Sequence, residues 1–196
     1  MISRWRLAVP AVAAAVLAIA CADSPTARSL SPTSSASLSS GPGSSGSGAR
    51  VQNLVMRDDC DPASFNALLG AGACVGNGGT TVDEFNAELA QKRFVGAWKF
   101  NPDQFGDIAG TIIEVENRGG ETHTFTPVAV FGGGIIPPLN AASGNTTVAA
   151  ECAALNPLTI VRAGGHLHGT PLTVGTHRFQ CCIHPWMRTT VTIKSS

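Results

Sequence analysis

The chain is 196 residues long, with 43% hydrophobic, 13% charged and 6% aromatic residues. That length suits one domain with additional segments, and 13 basic against 13 acidic residues leave no basic field to hold a nucleic acid. The low charge excludes coiled coils and helical repeats, whereas 22 Gly and 12 Pro point to a turn-rich β architecture. Six cysteines are many for a reduced compartment and require a chemical explanation.

Residues 1–20 read as a signal peptide. Arg4 and Arg6 precede the apolar stretch Leu7–Ala20, which is too short to span a bilayer comfortably. Ala18 and Ala20 before Cys21 resemble the lipobox of bacterial lipoproteins, with Ala18 where leucine is usual and Leu17 one place earlier. On that resemblance Cys21 is the lipidated first residue of the mature chain; the other reading is an ordinary export signal cleaved nearby. Both expect export to the periplasm or the outer face of a bacterial membrane, and on the lipidation reading membrane contact comes only through a lipid anchor. Residues 21–50 form a linker, since Ser, Gly and Pro fill 18 of the 27 positions from Ser24 to Arg50. As a flexible coil it would reach about 30 Å. From Val51 onward nine basic residues face twelve acidic ones, a mildly acidic balance.

Residues 51–94 read as an N-terminal extension with one helix, Thr81–Arg93. Thr81 and Glu84 form a capping box, Phe85 and Leu89 share a face, and Glu88 and Lys92 can pair four residues apart. Residues 95–196 read as strands cut by turns. Thr111–Asn117 alternates, with Ile113, Val115 and Asn117 on one face and Ile112, Glu114 and Glu116 on the other. After the Arg118-Gly119-Gly120 turn, Thr122–Phe131 starts another extended run, and Leu172–Val174, His177–Cys181 and Thr189–Ile193 are shorter candidates. Short strands without intervening helices predict an all-β, antiparallel sandwich or barrel.

The chemistry concentrates in Phe179–Arg188, F-Q-C-C-I-H-P-W-M-R, where Cys181, His184 and Met187 stand three residues apart on a short loop. Upstream, His123 opens a strand just after the Gly-rich turn. A thiolate and two imidazoles with a weak axial thioether are the donor set of a blue-copper electron-transfer site. Sulfur stabilises Cu(I), imidazole tolerates both oxidation states, and such a site reorganises little when an electron passes. A C-x-x-H pair alone would also fit zinc.

C-x-x-H-x-x-M followed by Arg188, with His123 upstream, resembles the cupredoxins, the blue copper proteins, and the loop is most similar to those of the amicyanin and plastocyanin type. The resemblance covers about Trp98–Ile193 and implies a Greek-key β-sandwich. It implies one mononuclear copper ion held by His123, Cys181, His184 and Met187. On this reading Val51–Phe94 is not part of the minimal fold.

Strand alternation places His177, Phe179 and Cys181 on one face and Arg178, Gln180 and Cys182 on the other, and Phe179 marks the buried one. Cys181 then points in with the metal. With Cys21 and Cys181 assigned, Cys60, Cys74, Cys152 and Cys182 remain; Cys60–Cys74 is the natural local loop, leaving Cys152–Cys182, among three possible pairings. Asn117 faces the core near His123 and is expected to tie the two ligand loops by a hydrogen bond, although packing alone would also explain it. His166-Leu167-His168 offers either a second metal pair or two solvated imidazoles beside an inward Leu167. Asp58, Asp59 and Asp61 lack the spacing of a calcium loop and read as a solvated turn pinned by Cys60.

The expected function is a one-electron carrier rather than an enzyme: one four-ligand site has no open position, and no hydrolytic motif stands out. The alternative is an envelope protein that carries or buffers Cu(I), with Cys181 and Cys182 both thiols. Ile183, Pro185 and Trp186 around His184 are expected to form an apolar docking patch for redox protein partners, through which the imidazole edge emerges.

Overall fold

A computed structural model describes residues 50–196. The signal peptide, Cys21 and residues 21–49 of the linker lie outside the described residues. In chain order come β1 (Val51–Arg57), α1 (Pro62–Leu69), α2 (Val82–Lys92), β2 (Lys99–Asn101), β3 (Gln104–Ile108), β4 (Ile112–Asn117), β5 (His123–Thr124), β6 (Thr126–Pro127), α3 (Pro137–Ser143), β7 (Ile160–Val161), β8 (His166–His168), β9 (Gly175–Gln180) and β10 (Arg188–Lys194).

Two four-stranded sheets, ordered β2-β1-β4-β8 and β3-β10-β9-β6, make the Greek-key sandwich, and β5 pairs with β7 beside them. The alternation read in β4 decides which side chains fill it: Ile113, Val115 and Asn117 are buried, and Ile112, Glu114 and Glu116 are half-buried. Leu54, Met56 and Phe100 from the first sheet join Phe179, Val191 and Ile193 from the second in one hydrophobic core. Two pairings depart from the antiparallel expectation, since β1 runs parallel to β4 and β3 parallel to β10. Parallel neighbours need a crossover of about a dozen residues or more, and both pairs are separated by far longer stretches of chain.

Val51–Phe94 is not peripheral to this sandwich. β1 lies between β2 and β4, and Leu54 and Met56 are fully buried. The segment carries two helices rather than one. α2 has the expected capping box, with the Glu84 carboxylate accepting from the Thr81 N–H, and Arg93 closes it in a left-handed conformation. α1 is capped by Asp61, which accepts from the Ser64 N–H, and Pro62 stands at its start. It buries only Phe65, too little to create a helical period in the sequence.

Other strand expectations shift for similar reasons. Thr122–Phe131 breaks into β5 and β6, because Phe125 donates its N–H to Thr159 instead of continuing either ladder. Leu172 exchanges backbone hydrogen bonds with Gly110 and Thr111, but Leu172–Val174 is not a strand. The segment between β6 and β7 holds α3 and folds over the second sheet. There Val128, Ala149, Cys152 and Cys182 form a separate small core.

Two disulfides close the fold, Cys60–Cys74 across 14 residues and Cys152–Cys182 across 30. Cys181 is the free cysteine among the described residues. The two adjacent cysteines therefore point into different cores, Cys181 into the sandwich and Cys182 into the smaller cluster, as strand alternation requires.

Candidate metal centre

Four chain segments converge at one end of the sandwich. β5 carries His123; the loop from β9 to β10 carries Cys181, His184 and Met187; the turn after β1 carries Asp58; and the turn after β4 carries Glu121. The β9–β10 loop is held tight by its own backbone, with the Cys181 N–H donating to the Met187 carbonyl at 3.0 Å and the Met187 N–H to the His184 carbonyl at 2.9 Å. Gly134 lets a neighbouring segment press on this loop, since a Cβ there would lie 1.9 Å from the Cys182 carbonyl oxygen. Thr124 joins β5 to it. Its hydroxyl accepts from the Cys182 N–H at 2.8 Å, and its own N–H points at the Cys181 sulfur at 3.4 Å.

The Cys181 Sγ lies 3.9 Å from His123 Nδ1 and 3.9 Å from His184 Nδ1. All three donor atoms lie within 4.8 Å of one another, and all three residues are buried. Nitrogen and sulfur donors bound at about 2.0–2.3 Å to one ion stand roughly 3.6–3.8 Å apart. The observed separations therefore suit a shared metal ion better than direct hydrogen bonds. Met187, the last residue of the same loop, is fully buried.

Each imidazole turns its other nitrogen toward a carboxylate. His123 Nε2 is 2.8 Å from Asp58 Oδ2, and the Asp58 side chain is fully buried. That carboxylate also accepts from the backbone N–H groups of Gly120 at 2.8 Å and Glu121 at 3.0 Å. His184 Nε2 faces Glu121 Oε2 at 3.6 Å, beyond hydrogen-bond range, while the same oxygen accepts from the Trp98 indole N–H. The Gly119-Gly120 turn is glycine because of this crowding. A Cβ on Gly119 would lie 1.9 Å from Asp58 Oδ2, and one on Gly120 would lie 2.6 Å from the Cys60 sulfur.

In the metal-free protein these contacts set the charges. Burial pushes the Asp58 carboxyl up, but His123 and the two backbone donors outweigh it and hold it at about 2. Burial likewise pushes His123 down, and Asp58 with the Cys181 thiolate raises it to about 9. Cys181 is held well below the usual thiol range, since the two histidines overcome the effect of burial. A preformed thiolate is what a metal requires.

Several sequence expectations change. Asp58 is not part of a solvated turn; only a buried partner for a strand histidine 65 residues away could have revealed its role. Asp59 accepts from the Thr80 hydroxyl and Asp61 caps α1. Asn117 is buried, but it bonds the carbonyls of Glu121 and Val161 and so braces the turn before β5 against β7. The tie between β5 and the β9–β10 loop comes from Thr124 instead. His184 does not present an edge at the surface. It is 4% exposed, and its ring lies among Phe85, Trp98 and Trp186 at centroid separations of 6.4, 6.5 and 5.6 Å. Pro185 is buried, and Ile183 and Trp186 are half-buried. Beside His184 lies an apolar groove of about 410 Å³, lined by Leu68, Leu69, Phe85, Leu139 and Ile183. His166 and His168 stand exposed on β8 beside a partly buried Leu167, and His168 Nδ1 lies 3.2 Å from Glu114. Among the described residues, His123, Cys181 and His184 are the one cluster with metal-ligand spacing.

The structure is similar to a purple cupredoxin from Nitrosopumilus maritimus at 12% identity, covering 72% of this chain and 98% of that one, with a TM-score of 0.39. It is similar to oxidised plastocyanin from Dryopteris crassirhizoma at 18% identity, covering 73% of this chain and all of that one (100%), with a TM-score of 0.37. A reduced amicyanin mutant matches at 20% identity over 56% of this chain and 89% of that one, with a TM-score of 0.34. No family model and no curated protein sequence matches the chain.

Proposed function

We propose that this chain is an exported, lipid-anchored type 1 copper protein that passes single electrons at the cell envelope. The observation that carries the reading is the buried His123–Cys181–His184 cluster, with its three donor atoms within 4.8 Å of one another. His123, Cys181 and His184 would hold the ion, with Met187 as a weak axial donor. When bound, copper supplies a one-electron couple; the chain supplies a site that changes little between the two charge states. Thr124 and the β9–β10 loop backbone fix the thiolate, Asp58 fixes His123, and the aromatic cage of Phe85, Trp98 and Trp186 excludes water around His184.

Two disulfides fit an oxidising compartment and with it the export signal and Cys21 anchor. No described helix is long and apolar enough to cross a membrane. Redox protein partners would dock near His184, where Ile183 and Trp186 retain partial exposure.

The Cu(I)-carrier alternative relied on two adjacent thiols, and the Cys152–Cys182 disulfide leaves Cys181 as the sole one there. The chain Cys181–His123–Asp58 also has the order of a thiol nucleophile, base and orienting carboxylate. A sulfur that is fully buried and faces a second imidazole at the same distance suits a ligand rather than a nucleophile.

The deciding experiment is anaerobic purification, copper loading and visible plus electron-spin spectroscopy. The proposal expects one copper per chain with an intense blue Cu(II)–thiolate band. A copper-loaded protein that stays colourless would overturn the electron-carrier reading.

A further inference from the structure

Asp58 is built into the centre more firmly than a chance neighbour would be. Its carboxylate has four partners: His123 Nε2 at 2.8 Å, and the N–H groups of Gly120 at 2.8 Å, Glu121 at 3.0 Å and Cys60 at 3.3 Å. An ionised carboxylate offers about four lone-pair sites, so this one is fully engaged. It is anchored from both sides, since it directly follows β1 and Cys60, two residues on, is tied to Cys74. The Gly119-Gly120 turn that feeds its donors leaves no room for a side chain.

The consequence for His123 is directional. A carboxylate can only accept, so Nε2 keeps its hydrogen, and the proton that His123 gives up to hold a metal is the one on Nδ1, which faces Cys181. The buried negative charge beside the imidazole also favours the more positive state of any ion held at Nδ1. His184 provides the contrast within the same site. Its Nε2 stands 3.6 Å from Glu121 Oε2, which already accepts from Trp98.

We propose that Asp58 is a positioning residue that locks the His123 ring with Nδ1 toward the metal and lowers the reduction potential of the centre. The proposal rests on the copper reading above, but it makes the segment before Phe94 part of the metal site rather than an appendage. Glu121, lacking a hydrogen bond to its histidine, has the weaker influence.

The test compares Asp58→Asn and Glu121→Gln with the wild type in three measurements. Loss of such outer partners costs metal affinity about 10–100-fold. If that loss falls on Cu(II), the Asp58→Asn potential rises by about 60–120 mV, at 59 mV per tenfold for one electron. Zn(II), a redox-inert probe, should bind the same variant about 10–100-fold more weakly. Glu121→Gln should move both quantities less. In the Zn(II)-loaded wild type, nitrogen-resolved NMR should show the His123 Nε2–H exchanging slowly with water and more slowly than that of His184. An Asp58→Asn protein that is folded yet unchanged in potential and Zn(II) affinity overturns the proposal. So does a wild-type His123 Nε2–H that exchanges freely, a result independent of whether the variant folds. If copper loading gives no blue site, the copper reading fails, while Zn(II) affinity and proton exchange still decide the role of Asp58.

Discussion

Removing the Cys152–Cys182 disulfide by the double substitution Cys152→Ala/Cys182→Ala tests whether the two adjacent cysteines have separate jobs. The bridge closes 30 residues and pins the β9–β10 loop to the segment that covers the second sheet. Chain-entropy arithmetic for a loop of that length gives a stabilisation of about 3.6 kcal/mol at 25 °C. The double variant avoids leaving a new free thiol near Cys181. Cys182 meets the site only through its N–H, which donates to Thr124, and that contact survives the substitution. We therefore expect urea unfolding of the metal-free protein to lose about 3–4 kcal/mol, with the blue band after copper loading unchanged in position. Cys181→Ser should do the reverse, abolishing the band, because a hydroxyl is a hard and mostly protonated donor. A folded double variant that lost the band would show that Cys182 serves the metal. A stability change under about 1 kcal/mol would remove the loop-closure argument, whose usual range is about 2–5 kcal/mol.

Phe85→Ala would empty the centre of the cage formed with Phe65, Trp98 and Trp186; buried Phe→Ala changes cost about 3–5 kcal/mol, so denaturation should reveal a loss of that order, and one under 1 kcal/mol would mean the helices barely pack on the sandwich. The metal-free protein should be most stable between two limits. Asp58, lowered from 3.8 to about 2, contributes stability that is complete above pH 3.8 and lost as pH falls through about 2. His123, raised from 6.5 to about 9, contributes stability that is complete below pH 6.5 and lost as pH rises through about 9. Denaturation profiles of wild type minus Asp58→Asn isolate the acid limb, and a flat difference between pH 4 and 2 would contradict the buried pair.

Residue order and spacing suffice to read the candidate donor types. Cys181, His184 and Met187 are legible as a candidate set because three donor-type residues on one short loop occupy fixed offsets, and local spacing needs no knowledge of the fold. The faces of β4 and β9, the capping box of α2 and the division of labour between Cys181 and Cys182 are legible for the same reason, since strand and helix periods are local. Tertiary structure alone decided what surrounds those donors. Asp58 reaches His123 across 65 residues, β1 enters the sheet by parallel pairing with β4, and α1 and α2 carry Phe65 and Phe85 to the site, where Phe85 helps to shield His184 from solvent. None of these has a period or a spacing to betray it. Contacts between distant segments depend on how the whole chain closes, and the energy that selects them is shared among many buried groups rather than written in any one stretch.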